Sequence, residues 1–284
     1  MRRNGHLIYL RSAKIDLFKD EDPFHKPDGL LNEYPFSLPV IQSLHPKGLE
    51  FDSPVTIFVG ENGTGKSTLL EGLAVACESI AVGGYDVHSD PTLYGARRLS
   101  EKMRLVWNIR TRKGFFMRTE DFPNFSRRLA EIKDDMKDAI KQVDAEYTER
   151  SDYAKALAKG SFHNSISAIE RKYDGGLEER SHGENLLTLF QARFVPGGLY
   201  LLDEPESALS PISQLALLSM VKEMAAKDCQ FIIATHSPII MAVPGASILS
   251  FDSIPICKKD YDDLDHVRLF RDFMQDPDRF LRHL

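Results

Sequence analysis

VTIFVGENGTGKSTLLEGLAVAC, residues 55–77, places a glycine-rich turn between an apolar run and a segment with helical spacing. The run Val55–Val59 is β-branched and aromatic, which is typical of a buried strand. From Ser67 onward, apolar residues recur three and four positions apart, which predicts a helix. A strand, a glycine turn and a helix in this order form the frame in which backbone N–H groups at a helix N-terminus bind phosphate.

The turn fits the pattern Gly-x-x-x-x-Gly-Lys-Ser from Gly60 to Ser67. Glycines let the backbone approach phosphate oxygens closely. Lys66 is expected to reach the β and γ phosphates, and the Ser67 hydroxyl to bind Mg²⁺. The alternative is a glycine turn that caps a helix by chance, and the placed Lys-Ser pair disfavours it. The stretch therefore predicts a nucleoside triphosphate site.

Two acids end a second apolar run, GLYLLDE at residues 198–204. The carboxyl ends of parallel strands meet at the sheet edge where ligands bind. Asp203 is therefore predicted to share Mg²⁺ with Ser67, and Glu204 to polarise an attacking water. The alternative is that the two acids merely begin a turn at Pro205. A third apolar run, Gln230–Ala234, leads into THSP at residues 235–238.

Composition predicts one large domain, residues 1–284, with 42% hydrophobic and 27% charged residues. Three cysteines lie far apart without a CxxC pair, which argues against a disulfide framework or a zinc site. No apolar run approaches the roughly 18 residues of a spanning helix, so we expect no membrane insertion and a cytoplasmic protein. The net charge of −6 disfavours a broad nucleic-acid-binding face.

One segment of the chain, the basic strip, is strongly basic despite the net negative charge. Residues 97–118 contain eight basic side chains and one acid. They are interleaved with Trp107, Phe115 and Phe116, so one interpretation is a surface that contacts nucleic-acid phosphates. The other interpretation is an amphipathic strand pair with solvated charges. The basic residues are Arg97, Arg98, Lys102, Arg104, Arg110, Arg112, Lys113 and Arg118.

Five motifs in order resemble those of ABC-type ATPase heads, of the soluble SMC-like and DNA-repair kind. GENGTGKST is similar to Walker A, SHGE to the signature motif, LYLLDEPE to Walker B, SALSP to the D-loop and ATHSP to the switch-histidine motif. The chain also resembles small stand-alone bacterial proteins labelled AAA family ATPase. The resemblance implies an α/β P-loop NTPase fold of the ABC-ATPase type: a mixed, mainly parallel sheet flanked by helices, with a short helical insertion.

The resemblance also implies roles for individual residues. Asp203 would support Mg²⁺ with Ser67, Glu204 would act as general base, and His236 would contact the γ-phosphate together with Lys66. The residues that would cradle ATP are Gly60, Asn62, Gly63, Gly65, Lys66, Ser67 and Thr68.

The resemblance implies that the residues of the remaining motifs act on the nucleotide bound by a second copy of the chain. Ser181 and Gly183 would close over the γ-phosphate bound by the other copy, with Ser210 near the shared seam. The resemblance thus implies a homodimer when ATP is bound, which hydrolysis releases.

Residues 124–174 are predicted to form an insertion of one or two short helices, because apolar residues recur at threes and fours. It is either a lid on the core or a docking face. The purpose of hydrolysis stays open between a machine acting on DNA or RNA, in maintenance or defence, and a regulatory switch with a protein partner. A transporter subunit is less favoured. The ATPases of transporters have a glutamine between Walker A and the signature that senses the membrane partner, whereas Gln142, the only glutamine in that interval here, lies in a charged segment with helical character. The residues that contact adenine also stay open.

Overall fold

The computed structural model describes residues 2–3, 6–18, 27–82, 87, 90–146, 159–160, 162–163, 165–167, 170 and 182–282. The strands are β1 Arg2–Arg3, β2 His6–Leu7, β3 Leu10–Ile15, β4 Leu49–Glu50, β5 Val55–Val59, β6 Met103–Trp107, β7 Gly114–Arg118, β8 Leu199–Asp203, β9 Gln230–Ala234, β10 Ser247–Ser250 and β11 Cys257–Lys258. The helices are α1 Pro39–Ser43, α2 Lys66–Ala76, α3 Tyr94–Glu101, α4 Phe122–Glu146, α5 His182–Arg193, α6 Pro211–Ala226, α7 Pro238–Met241, α8 Asp265–Gln275 and α9 Pro277–Leu281.

A six-stranded sheet carries the nucleotide motifs, in the spatial order β11-β10-β5-β9-β8-β7. The pairs from β10 to β7 are parallel, and β11 adds an antiparallel edge. Asp203 and Phe58 both pair with Ala234. The ends of β5, β8 and β9 therefore meet at one edge, and the predicted mixed, mainly parallel sheet flanked by helices is confirmed.

Alternating side chains of the sheet enter two apolar clusters, one on each face. Phe58 joins α2 and α3 in the first cluster, whereas Ile57 and Val59 join α5 and α6 in the second. Both faces are thus covered, which is why β5, β8 and β9 are continuous apolar runs rather than alternating ones.

A separate antiparallel sheet has the order β4-β3-β6, and β1 pairs with β2. β6 belongs to this sheet, whereas β7 pairs in parallel with β8. The interpretation of residues 97–118 as a strand pair is therefore wrong, because each of its strands finds a partner distant in sequence. Residues 97–101 of the strip lie on α3 instead.

The predicted insertion begins with α4, a single helix of 25 residues. It is longer than the short helices expected, because no glycine or proline interrupts residues 124–146. Phe122 anchors its start in the core, whereas Ile132 is 38% exposed. Within the part of the chain that the structure describes, no helix combines the length and apolar character needed to cross a bilayer.

Candidate functional site

The glycine-rich loop wraps around the start of α2. Gly60, Gly63 and Gly65 have φ values of +150°, +80° and +95°. A Cβ atom on Gly65 would lie 2.6 Å from Val40 Cγ1. Only glycine combines that left-handed backbone with such a close approach, and the turn directs the first N–H groups of α2 into the loop, as an anion site requires.

Lys66 lies inside this loop. Its Nζ donates to the carbonyl oxygens of Gly60 at 2.7 Å and Glu61 at 2.9 Å. Burial lowers its pKa, and the nearby carboxylates of Glu204 and Asp252 oppose that shift. The cation is thus held where a phosphate ligand can replace the loop carbonyls as its partner.

Ser67 and Asp203, which were predicted to share Mg²⁺, lie in direct contact. Ser67 Oγ donates to Asp203 Oδ1 at 3.1 Å, from the first turn of α2 to the last residue of β8. Burial raises the pKa of Asp203 to about 7, a shift that the Ser67 hydrogen bond opposes and Glu71 and Glu204 reinforce. A hydroxyl and a carboxylate oxygen are ligands that suit Mg²⁺, whose charge favours the ionised carboxylate.

Glu204 and His236 face each other beside this pair. Glu204 Oε1 lies 3.8 Å from His236 Nε2, and the Glu204 side chain is 43% exposed. Burial, followed by the charge of Lys66, lowers the pKa of His236. Its Nε2 is shielded from solvent and makes no hydrogen bond with a described residue. A buried polar atom of this kind calls for a partner, which a phosphate oxygen would provide.

Glu206 binds the backbone of the segment that carries His236, a role that the sequence analysis did not predict. Its Oε1 accepts from the backbone N–H groups of His236 at 2.6 Å and Ser237 at 3.2 Å. Its place in DEPE, two residues after the predicted base, is the signal that would have drawn attention to it.

Thr68 lies in the first turn of α2. Its Oγ1 is 3.1 Å from the hydroxyl oxygen of Tyr34, which is 54% exposed. Both side chains line a cavity of about 280 Å³ together with Lys66, Ser67 and Glu204. Asn62 and Gly63 line this cavity and a second one, of about 660 Å³, which His236 also borders.

The residues assigned to the second copy lie elsewhere. Ser210 caps α6 by accepting from the Ser213 N–H at 3.3 Å, and Gly183 is in the first turn of α5. Ser210 does not line either of the two cavities that border the loop. Ser181 lies outside the described residues.

Known families and proteins match the segments that carry these motifs. Residues 185–242 match the family described as "AAA domain, putative AbiEii toxin, Type IV TA system", and residues 40–82 match "AAA domain". The phosphate import ATP-binding protein PstB of Bacillus cereus is 26% identical over 198 residues, which span 66% of this chain and 65% of PstB. The L-cystine transport system ATP-binding protein TcyN of Escherichia coli is 27% identical over 184 residues, 64% of this chain and 69% of TcyN. The segments that carry the motifs are thus similar to those of AAA domains and of the ATP-binding proteins of ABC transporters.

Solved structures similar to this chain include the Smc head domain from Pyrococcus furiosus, bound to the C-terminal domain of ScpA. It is 14% identical with a TM-score of 0.45, covering 94% of this chain and 99% of that one. A nucleotide-free ATP-binding cassette from an ABC transporter is 16% identical with a TM-score of 0.44, covering 95% and 96%.

Proposed function

We propose that the protein hydrolyses ATP as one of two heads that ATP holds together. The observation that carries the proposal is the grouping of Ser67, Asp203, Glu204 and His236 beside the glycine loop. It supplies an anion cradle, an oxygen pair for a metal ion, a carboxylate and an imidazole within one small volume.

Each of these groups has a separate task in this proposal. Lys66 and the N–H groups at the start of α2 bind the β and γ phosphates, and Ser67 and Asp203 hold Mg²⁺. The metal ion, when bound, neutralises phosphate charge. The half-exposed Glu204 carboxylate accepts a proton from the attacking water. The His236 Nε2 faces the γ-phosphate.

The second copy completes the site. Ser181 and Gly183 of one copy contact the γ-phosphate bound by the other, and Ser210 lies at the seam. Because each subunit contributes to the other's site, the contact is two-fold symmetric. Loss of the γ-phosphate removes the differential affinity for the closed pair, so hydrolysis separates the heads.

Steady-state hydrolysis and ATP binding test the assignment of the base. Glu204→Gln is expected to keep ATP binding and to lower kcat roughly 10²- to 10⁴-fold, whereas Lys66→Ala is expected to lose binding. Glu223→Gln, an exposed glutamate paired with Lys227 on α6, is the matched control. Unchanged turnover in Glu204→Gln would show that another group is the base.

We propose that ATP hydrolysis serves a process that involves nucleic acid. Fewer residues of the basic strip support this role than the sequence suggested. Arg118 is buried among acids, and Phe115 and Phe116 lie in the core, so none of the three contributes to a surface. An exposed basic group remains around a cavity of about 340 Å³ next to Trp107. Its members are Arg110, Arg112 and Lys113.

Single-stranded DNA and RNA binding at several salt concentrations tests this role. Charge reversal of Arg110, Arg112 and Lys113 is expected to abolish salt-dependent binding. Reversal of three exposed cations elsewhere is the control, and these are Lys222 on α6, Lys227 directly after α6 and Arg279 on α9. Equal binding by both triple variants, or none by the wild type, would contradict the role.

A protein-partner switch is the second candidate. The exposed charged surface of α4 and the match to a family described with the AbiEii toxin favour it. A neighbour-encoded protein that co-purifies only when α4 is intact would support this candidate. We also propose a cytoplasmic location, which three unpaired cysteines favour.

A further inference from the structure

The segment from Arg118 to Asp121 joins the sheet to α4 and passes directly beside the proposed base. Arg118, the last residue of β7, is in register with Asp203, the last residue of β8. The chain therefore leaves β7 at the same level at which β8 delivers its two carboxylates.

Thr119 touches the backbone of the proposed base. Its Oγ1 donates to the carbonyl oxygen of Glu204 at 2.5 Å, with the Asp203 carbonyl oxygen further away at 3.3 Å. The bond joins residues 85 positions apart in the sequence. A hydroxyl of β7's exit loop thus fixes the peptide that follows Glu204.

The Glu204 backbone needs such support. Its φ of +46° is left-handed, a region that residues other than glycine, asparagine and aspartate seldom occupy. Surrounding contacts must impose a conformation of this kind. The Glu204 N–H donates to the Ala234 carbonyl at 2.9 Å, so Ala234 and Thr119 grip the residue from both sides. These two anchors set the direction of the Cα–Cβ bond and hence where the carboxylate points.

Arg118 immobilises the segment that carries Thr119. Its Nε and Nη2 donate to both carboxylate oxygens of Asp121, at 2.8 and 2.9 Å. It also donates to Asp90 at 3.0 Å and to Glu71 of α2 at 3.4 Å. Arg118 is 5% exposed, and a buried guanidinium that several elements hold has little freedom to move.

We propose that Thr119 is a positioning residue for the general base, with Arg118 as the clamp that holds it in place. This inference rests on the proposed role of Glu204. In this inference, the segment between β7 and α4 connects the insertion helix α4 directly to the residue that carries the catalytic carboxylate.

The first experiment measures kcat, KM and ATP affinity for Thr119→Val, which keeps the shape and removes the hydroxyl. We expect kcat to fall about 10- to 100-fold, the order of loss that misplacing a reacting group by about 1 Å produces. KM and ATP affinity should stay within about twofold. Thr119→Ser restores the hydroxyl and should recover most of kcat.

Thr111→Val is the matched control. Thr111 Oγ1 donates to the Gly197 carbonyl at 2.9 Å, a bond of the same kind at the opposite end of β7. It should leave kcat unchanged. Arg118→Lys is a second variant, which keeps Thr119 but cannot grip both oxygens of Asp121, and it should lower kcat with KM unchanged.

The double variant Thr119→Val/Glu204→Gln separates positioning from general damage. If Thr119 acts through Glu204, adding Thr119→Val to Glu204→Gln should lower kcat no further. Wild-type turnover in both Thr119→Val and Arg118→Lys, or equal loss in Thr119→Ser and Thr119→Val, would overturn the inference and leave the proposed function standing. Wild-type turnover in Glu204→Gln itself would instead show that another group is the base, which removes the assignment on which this inference rests.

Discussion

At the scale of single residues, the folded protein shifts the pKa values of two carboxyl groups near the site in opposite directions. Burial raises the pKa of Asp203 to about 7. Burial also acts to raise the pKa of Asp90, but hydrogen bonds from Thr92 and the charge of Arg118 outweigh it, and that pKa is lowered. Asp203 thus carries a desolvation cost, whereas Asp90 forms a stabilising ion pair with Arg118.

The Asp203 shift predicts a pH-dependent stability of the nucleotide-free protein. Between about pH 4 and pH 7 the folded state holds a proton that the unfolded state has released, so stability falls as the pH rises through this window. Asp203→Asn removes that cost. We expect it to stabilise the protein more at pH 8 than at pH 5, by about 1–3 kcal/mol in the free energy of unfolding.

Denaturant unfolding without nucleotide at both pH values measures this difference. Asp90→Asn is the control of opposite sign, because a lowered pKa contributes stability that is lost as the pH falls. It should destabilise the protein at pH 8 and have a smaller effect near pH 3. An Asp203→Asn effect that is independent of pH would mean that the folded protein ionises this carboxyl normally.

At the scale of elements, one buried amide joins the two larger sheets. Gln230, the first residue of β9, is fully buried. Its Oε1 accepts from the N–H groups of Tyr9 and Leu10, each at 2.9 Å, and its Nε2 donates to the Leu10 carbonyl at 2.9 Å. β3 is thereby attached to the central sheet through three hydrogen bonds of one side chain.

Gln230→Leu should therefore be costly despite its similar volume. The change leaves buried backbone groups of residues 9 and 10 without partners, and each such group costs about 1–3 kcal/mol. We expect a loss of about 2–4 kcal/mol in the free energy of unfolding, measured by urea denaturation. Gln275→Leu on the exposed end of α8 should change it by less than about 0.5 kcal/mol. Equal effects of the two changes would refute the role of this joint.

The elements also show where sequence reasoning succeeds. β5 and β9 have the predicted bounds because each is a continuous run of buried apolar residues between a turn and a polar stretch. The contact of Ser67 with Asp203 follows from two motifs that parallel strands bring to one edge. The local sequence pattern is enough to predict the bounds of a strand when both of its faces are buried, because the whole strand is then one uninterrupted apolar run.

Pairing between distant segments explains what sequence reasoning did not find. β6 and β7 are neighbours in the chain but belong to different sheets, so the fold divides the basic strip of residues 97–118. The Thr119 bond to Glu204 depends on the register of β7 with β8, which no local pattern encodes. Arg118 looked like a surface cation, and only the fold brings Glu71 and Asp90 around it.

At the scale of the whole molecule, the site is incomplete in one copy if the signature residues act across an interface. Asn62, Gly63 and His236 all border the cavity of about 660 Å³ beside the loop. Bound ATP would then act as part of the interface, because it binds the closed pair more tightly than the single head.

Light scattering of Glu204→Gln with and without Mg·ATP is the decisive measurement of this arrangement. We expect the mass to change from one chain to two on adding Mg·ATP, because slow hydrolysis traps the closed pair. Adding Lys66→Ala should keep a single chain by preventing ATP binding, whereas Ser181→Arg should keep a single chain that still binds ATP. The second result separates loss of the interface from loss of the ligand. The mass of one chain at saturating ATP in Glu204→Gln would contradict self-association and require a different subunit to supply the signature residues.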